Sequence, residues 1–172
     1  MLKEKEDAYY ALPQPEELTE REKEDAMGAY LMMFASIAAG LPLPVINLIA
    51  AVIYYFLNRG KSRFIHFHAL QSLITQIPIS LINAGFVFWT INNFIVNKMM
   101  GATSSYFIYL SVAVVLNIIY FVFSIVAAIA ARKGRMYYFL IFGSLSYNAV
   151  YRKISRLSYS HEPEDVRNEP PR

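Results

Sequence analysis

The apolar positions of this chain fall into long unbroken blocks rather than the short amphipathic runs of a soluble domain. No Asp, Glu, Lys or Arg occurs from Ala26 to Asn58, from Phe64 to Asn97, or from Met99 to Ala131. Crossing a bilayer takes about 20 predominantly apolar residues, so each block is long enough. The first fits two short, hairpinned helices better than the alternative of one kinked span. As a single helix it would reach about 50 Å at 1.5 Å per residue, against a hydrocarbon layer of about 30 Å. Leu41-Pro42-Leu43-Pro44 divides it, because each proline removes a helix donor and clashes with the preceding turn. The pattern predicts a hairpin of spans over about 22–40 and 44–58, a third span over 64–97 with a kink at Pro78, and a fourth over 105–131.

Flanking signals refine this picture. Thr19-Glu20-Arg21-Glu22 fits a capping box and predicts a helix start. Residues 1–18, polar and carrying Pro13 and Pro15, read as a loose tail, as do residues 160–172. After Arg135 comes a Tyr-rich apolar piece. Tyr147, Val150, Tyr151, Ile154 and Leu157 then recur at helical spacing, with Arg152, Lys153 and Arg156 on the other face. This predicts a helix over 136–159 lying in the membrane interface. The fold class expected is an all-α membrane protein: a four-helix transmembrane bundle with a C-terminal interfacial amphipathic helix. No internal repeat is evident.

Polar residues inside the third block are not scattered. Counting from His68, Gln71, Ser72, Thr75, Gln76, Ser80 and Asn83 follow at +3, +4, +7, +8, +12 and +15, which places all seven on one helix face. An unpaired amide in hydrocarbon costs about 2–7 kcal/mol, so this stripe must face another helix, a partner chain or water. Helix packing is one reading, since polar side chains join membrane helices. A wet groove is the other. Asn47, Ser111, Asn117 and Ser124 on neighbouring spans are candidate partners. His66 and His68 point about 200° apart on a helix, so no metal site is expected, and no cofactor.

Charge sharpens the topology. All 13 acidic residues lie before Ala26 or after Tyr159. Arg59, Lys61 and Arg63 form one basic group; Arg132, Lys133 and Arg135 a second; Arg152, Lys153 and Arg156 a third. The connection between the third and fourth spans carries only Lys98. Four spans place both termini and all basic groups on one side, the cytoplasmic one by the positive-inside rule. The basic groups then read as lipid-headgroup contacts rather than nucleic-acid contacts. With no apolar h-region in the first 25 residues, the first span is expected to direct insertion itself.

Missing chemistry narrows the function. There is no cysteine, no HExxH, no intramembrane acid pair and no phosphate-binding glycine loop. Intramembrane metalloprotease and aspartyl-protease chemistry therefore lack their residues, and a proton or sodium pump lacks its usual acids.

"PLPVINLIAAVIYYFLNRGKS" leading into "RFIHFHALQS", with a later "AAIAARKGRMYYF", resembles a small bacterial membrane-protein family related to the twenty-kilodalton subunit of the chloroplast inner-envelope Tic translocon. Phe64, His68, Ala69 and Gln71 match its first element, and Ala131, Lys133, Gly134 and Tyr137 its second. The resemblance covers about 26–142. It implies four spans with both termini on one side, the bacterial inner membrane as location, and a part in protein transport. Three functions are thus in view. The first is a non-enzymatic subunit of a membrane complex, docked on another integral membrane protein or on copies of itself. The second is a conduit or carrier for a polypeptide or small polar solute through the stripe. The third is a lipid-active enzyme using His68.

Overall fold

The computed structural model describes residues 9–38, 44–98 and 101–153. The described residues form helices and no strand. Helix α1, Glu20–Leu31, continues through a tight turn at Met32–Phe34 into the short α2, Ala35–Ala38. Then come α3, Pro44–Asn58, and α4, Arg63–Ile91, whose end widens into a π turn at Asn92–Val96. Helix α5 is Ser104–Arg132 and α6 is Leu140–Tyr151.

Local chemistry sets these boundaries. Thr19 and Glu22 form the reciprocal capping box, Glu22 N–H to Thr19 Oγ1 at 3.2 Å and Thr19 N–H to Glu22 Oε2 at 3.0 Å. Ser62 Oγ caps α4 by accepting from Ile65 N–H at 3.3 Å. Thr103 Oγ1 does the same for α5 from Tyr106 N–H, also at 3.3 Å. Helix α5 stops at Gly134, whose φ of +71° suits a residue without Cβ. There Arg135 N–H bonds Ala130 O and Gly134 N–H bonds Ala131 O, both at 2.9 Å, the paired bonds of a Schellman cap. Pro78 does not end α4, which runs unbroken past it.

Among the described residues, two helices are long and apolar enough to cross a membrane, Arg63–Val96 and Ser104–Arg132; Val45–Asn58 is apolar but shorter. They pair as a long hairpin, and α1 to α3 form a shorter one against its basic end. Small residues let α1 and α5 approach closely: Ala26, Ala127, Ala128 and Ala131 are buried together with Tyr30, Phe64 and Phe139. The outward faces stay apolar along their length, through Val45, Ile49 and Ile53 on α3 and Ile108, Ile118 and Ile129 on α5. At the far end Phe86, Trp89, Phe94, Tyr106 and Tyr109 cluster ring on ring, the composition of an interfacial aromatic belt.

Two expectations change. The C-terminal helix begins at Leu140, not Met136, and stops at Tyr151. Residues Met136–Phe139 are non-helical because their backbone serves the stripe, as described below. Ile154, Leu157, Arg156 and the tail at 160–172 lie outside the described residues. The N-terminal tail, expected to be loose up to Leu18, packs on the bundle from Tyr9 onward. Tyr9 stacks on Tyr147 with ring centroids 5.2 Å apart, Tyr10 N–H bonds Tyr151 O at 2.8 Å, and Leu18 is buried. Residues 1–8 lie outside the described set.

Candidate functional site: the polar face of α4

The stripe splits into two halves with different surroundings. In the half toward the basic end, every stripe side chain meets protein. Ser72 Oγ donates to Ala29 O of α1 at 2.7 Å. Thr75 Oγ1 donates back to Gln71 O of its own helix at 2.6 Å. Gln71 is the hub. Its Nε2 donates to Tyr30 Oη at 2.8 Å and to Tyr137 O at 2.9 Å, and its Oε1 accepts from Phe139 N–H at 3.3 Å.

Those partners orient the Gln71 amide. A backbone carbonyl can only accept and a backbone N–H can only donate, so the orientation of the Gln71 amide is determined. Tyr30 Oη accepts from Gln71 and shares a second hydrogen bond with His68 Nδ1, 2.8 Å away. His68 Nε2 has no hydrogen-bond partner among the described residues; the ring lies edge-on to Phe64 and Phe67, with centroids 4.5 and 5.0 Å apart. The chain Phe139 N–H to Gln71 to Tyr30 to His68 joins α1, α4 and the segment before α6. Hydrogen bonds linked in this way strengthen one another in a low-dielectric interior.

The other half faces a cavity. Gln76, Ser80 and Asn83 line a cleft of about 290 Å³ together with Asn47 of α3 and Asn117 and Tyr120 of α5. Asn83 and Asn117 exchange amide hydrogen bonds at 3.0 and 2.7 Å, and Asn117 also donates to Ala113 O at 2.8 Å. Gln76 is 2% exposed, and its Oε1 has no hydrogen-bond partner among the described residues.

The other expected residues separate. Asn117 meets the stripe directly, and Asn47 shares the cleft. Ser124 is buried on α5, one turn from Tyr120. Ser111 does not meet the stripe: it is exposed and donates to Phe107 O of its own helix at 2.8 Å, because its register on α5 turns it away from α4.

Several residues expected to meet lipid headgroups have protein partners. Lys61 pairs with Asp25 at 2.7 Å, and Arg132 with Glu20 and Glu24. Arg63 lies over the Tyr10 ring, 3.5 Å from its centroid, and Arg59 over Phe56 at 4.8 Å. Lys153 lies near the Tyr10 ring at 5.8 Å, and Arg152 makes an isolated antiparallel bridge with Tyr9. Lys133 and Arg135 are exposed at the end of α5. The Arg132 guanidinium, then Lys23, hold the Glu20 carboxyl below its ordinary range.

The sequence reading missed Tyr30 and the two backbone groups at Tyr137 and Phe139. A signal for Tyr30 existed: Ala26, Ala29 and Tyr30 share one face of α1 at helical spacing, and a tyrosine on a buried face needs a partner for its hydroxyl.

No curated protein and no solved structure matches this chain. The family model of the magnetosome magnetite crystal formation proteins matches residues 22–145. That range covers most of α1, all of α2 to α5, the Gln71 network and the start of α6. No finding supports the expected relation to the Tic translocon subunit or a part in protein transport. The chain belongs to the magnetosome magnetite crystal formation protein family.

Proposed function

We propose that this chain is a non-enzymatic, four-span component of the magnetosome membrane, with both termini on the basic, cytoplasmic side, acting within a protein assembly that supports magnetite crystal formation. Family membership supplies the process. The observation that carries the structural role is the use of Gln71, Tyr30 and His68: all three are buried and bonded to one another. The one imidazole on the stripe is thus built into the scaffold rather than turned toward a substrate. The short hairpin supports four spans by its placement. Tyr30 of α1 lies level with His68 and Gln71 of α4, and Asn47 of α3 lies level with Gln76 to Asn83. From Gln76 to the belt at Trp89 is about 20 Å at 1.5 Å per residue. A face for a neighbouring membrane protein or a second copy is available at the basic end, where Tyr9, Tyr10, Tyr138, Tyr147 and Lys153 line a recess.

The test is deletion of the gene in a magnetite-forming host, with crystal size and shape read by electron microscopy. Crystals should become smaller or misshapen and recover on complementation. Unchanged crystals, or recovery of the chain in the soluble fraction, would sink the proposal.

A second reading, a carrier for a small polar solute, is favoured by the cleft at Gln76, Ser80 and Asn83. The chain has no cysteine, so single cysteines at these positions report water directly. Labelling by a membrane-impermeant thiol reagent supports a wet path; complete protection of all three removes it.

A further inference from the structure

The three cations between α3 and α4 end in three different places. Lys61 holds Asp25. Arg63 lies over the Tyr10 ring, on the side of the N-terminal segment. Arg59 is exposed and has no ion-pair partner among the described residues. It stands over the Phe56 ring, 4.8 Å from its centroid. A ring face answers the charge, but a guanidinium also carries five N–H donors, and none of these has an acceptor among the described residues.

Arg59 also closes an apolar track. Its backbone N–H bonds Tyr55 O at 2.9 Å, so it continues the register of α3. Val45, Ile49, Ile53 and Phe56 precede it at steps of four and three on one helix face, each between 51% and 57% exposed. From Val45 to Phe56 the track rises about 16 Å at 1.5 Å per residue, close to one leaflet of a hydrocarbon layer of about 30 Å. Beside the cation, Tyr55 Oη and His66 Nε2 lie 3.2 Å apart and tie α3 to α4. The Tyr55 ring centroid is 5.9 Å from the Arg59 guanidinium.

We propose that Arg59, with Tyr55 and His66, binds the phosphate of an anionic phospholipid, and that one of its acyl chains lies down the Val45–Phe56 track. The planar guanidinium matches two phosphate oxygens at once. The hydroxyl and imidazole beside it add polar contacts at headgroup level. Charge selects the lipid class. A zwitterionic head brings an ammonium along with its phosphate, and Asp25, the carboxylate at this loop, is already held by Lys61. A head with net negative charge leaves no cation unanswered. The site rests on the four-span membrane reading above and adds a lipid class and a place to it.

The experiment uses the full chain in proteoliposomes with two photoactivatable probes of identical acyl chains, a phosphatidylglycerol and a phosphatidylethanolamine. The phosphatidylglycerol should label the peptide containing Ile49–Phe56 about fivefold more than the phosphatidylethanolamine, the increment of one basic residue at a membrane surface. Arg59→Gln should bring the two probes level there. Lys133→Gln, an exposed cation at the end of α5, should leave the preference intact. Excess inorganic phosphate should not compete; if it abolishes the preference, the site takes a free anion and the lipid assignment falls. Equal labelling of the wild-type chain by both probes, or a preference that survives Arg59→Gln, overturns the site. The wild-type comparison decides even if Arg59→Gln fails to fold. Labelling of the outward faces of α3, α4 and α5 without preference rejects the site and leaves the membrane reading standing, whereas no labelling of any helix by either probe removes both.

Discussion

Gln71 spends both amide N–H bonds and its carbonyl oxygen on protein, so its removal orphans more than itself. In Gln71→Leu the Phe139 N–H and Tyr137 O lose their partner inside the bundle. An unsatisfied buried group costs about 1–3 kcal/mol, so the expected loss is about 3 kcal/mol, read as a lowered unfolding midpoint in detergent. Ser111→Ala touches only its own exposed helix turn and should stay within about 0.5 kcal/mol. Gly28 makes a different demand. A Cβ there would sit inside van der Waals contact of Tyr54 Oη, and that hydroxyl donates to Asp25 O at 2.7 Å. Gly28→Ala should destabilise by about 1–3 kcal/mol. Adding Tyr54→Phe frees the space, so the double variant should lose less than the sum of the two singles. Strict additivity would show that the contact carries no strain.

At the scale of elements, the helix starts and the stripe were legible because their causes are local. The capping box at Thr19, the proline at Pro44 and the +3/+4 recurrence from His68 each act within a few residues. What was not legible is long-range. Nothing in Met136–Phe139 announces that its backbone must stay extended to meet a side chain on α4, and the Tyr pattern there suits a helix equally well. Tyr9 looked like tail for the same reason, since its partner Tyr147 is far away in sequence. The Asn83–Asn117 pair lies between these cases: both amides were visible as candidates, but their register was not. It sets the α4–α5 register, and a double-mutant cycle with leucine measures it. Interhelical hydrogen bonds in membranes average about 0.6 kcal/mol and reach about 1.7, so two exchanged bonds should couple by about 1 kcal/mol. Each single variant should cost more than half of the double, because it leaves one amide unpaired. Zero coupling would make the pair incidental.

Over the whole molecule, charge at the basic end joins α1 to the end of α5 and to the loop before α4. Glu20 and Glu24 of α1 hold Arg132 at the end of α5, and Asp25 holds Lys61 beside α4. The carboxyl of Glu20 is held low by Arg132 and Lys23, so its folded value lies below its unfolded one. The stability it contributes is present above the ordinary carboxylate range and fades as the pH falls through the lowered value. Melting temperature in detergent should therefore drop on acidification, and Glu20→Gln should flatten that limb while lowering the neutral plateau slightly. An acid limb of unchanged slope in the variant would exclude Glu20 as its source. The non-helical passage at Met136–Phe139 carries the last consequence. It leaves the ribosome after every long apolar helix has been made, yet it closes the Gln71 hub. A stop codon placed after Arg135 would yield a chain that enters the bilayer normally and then survives poorly there, separating membrane integration from maturation at a single codon.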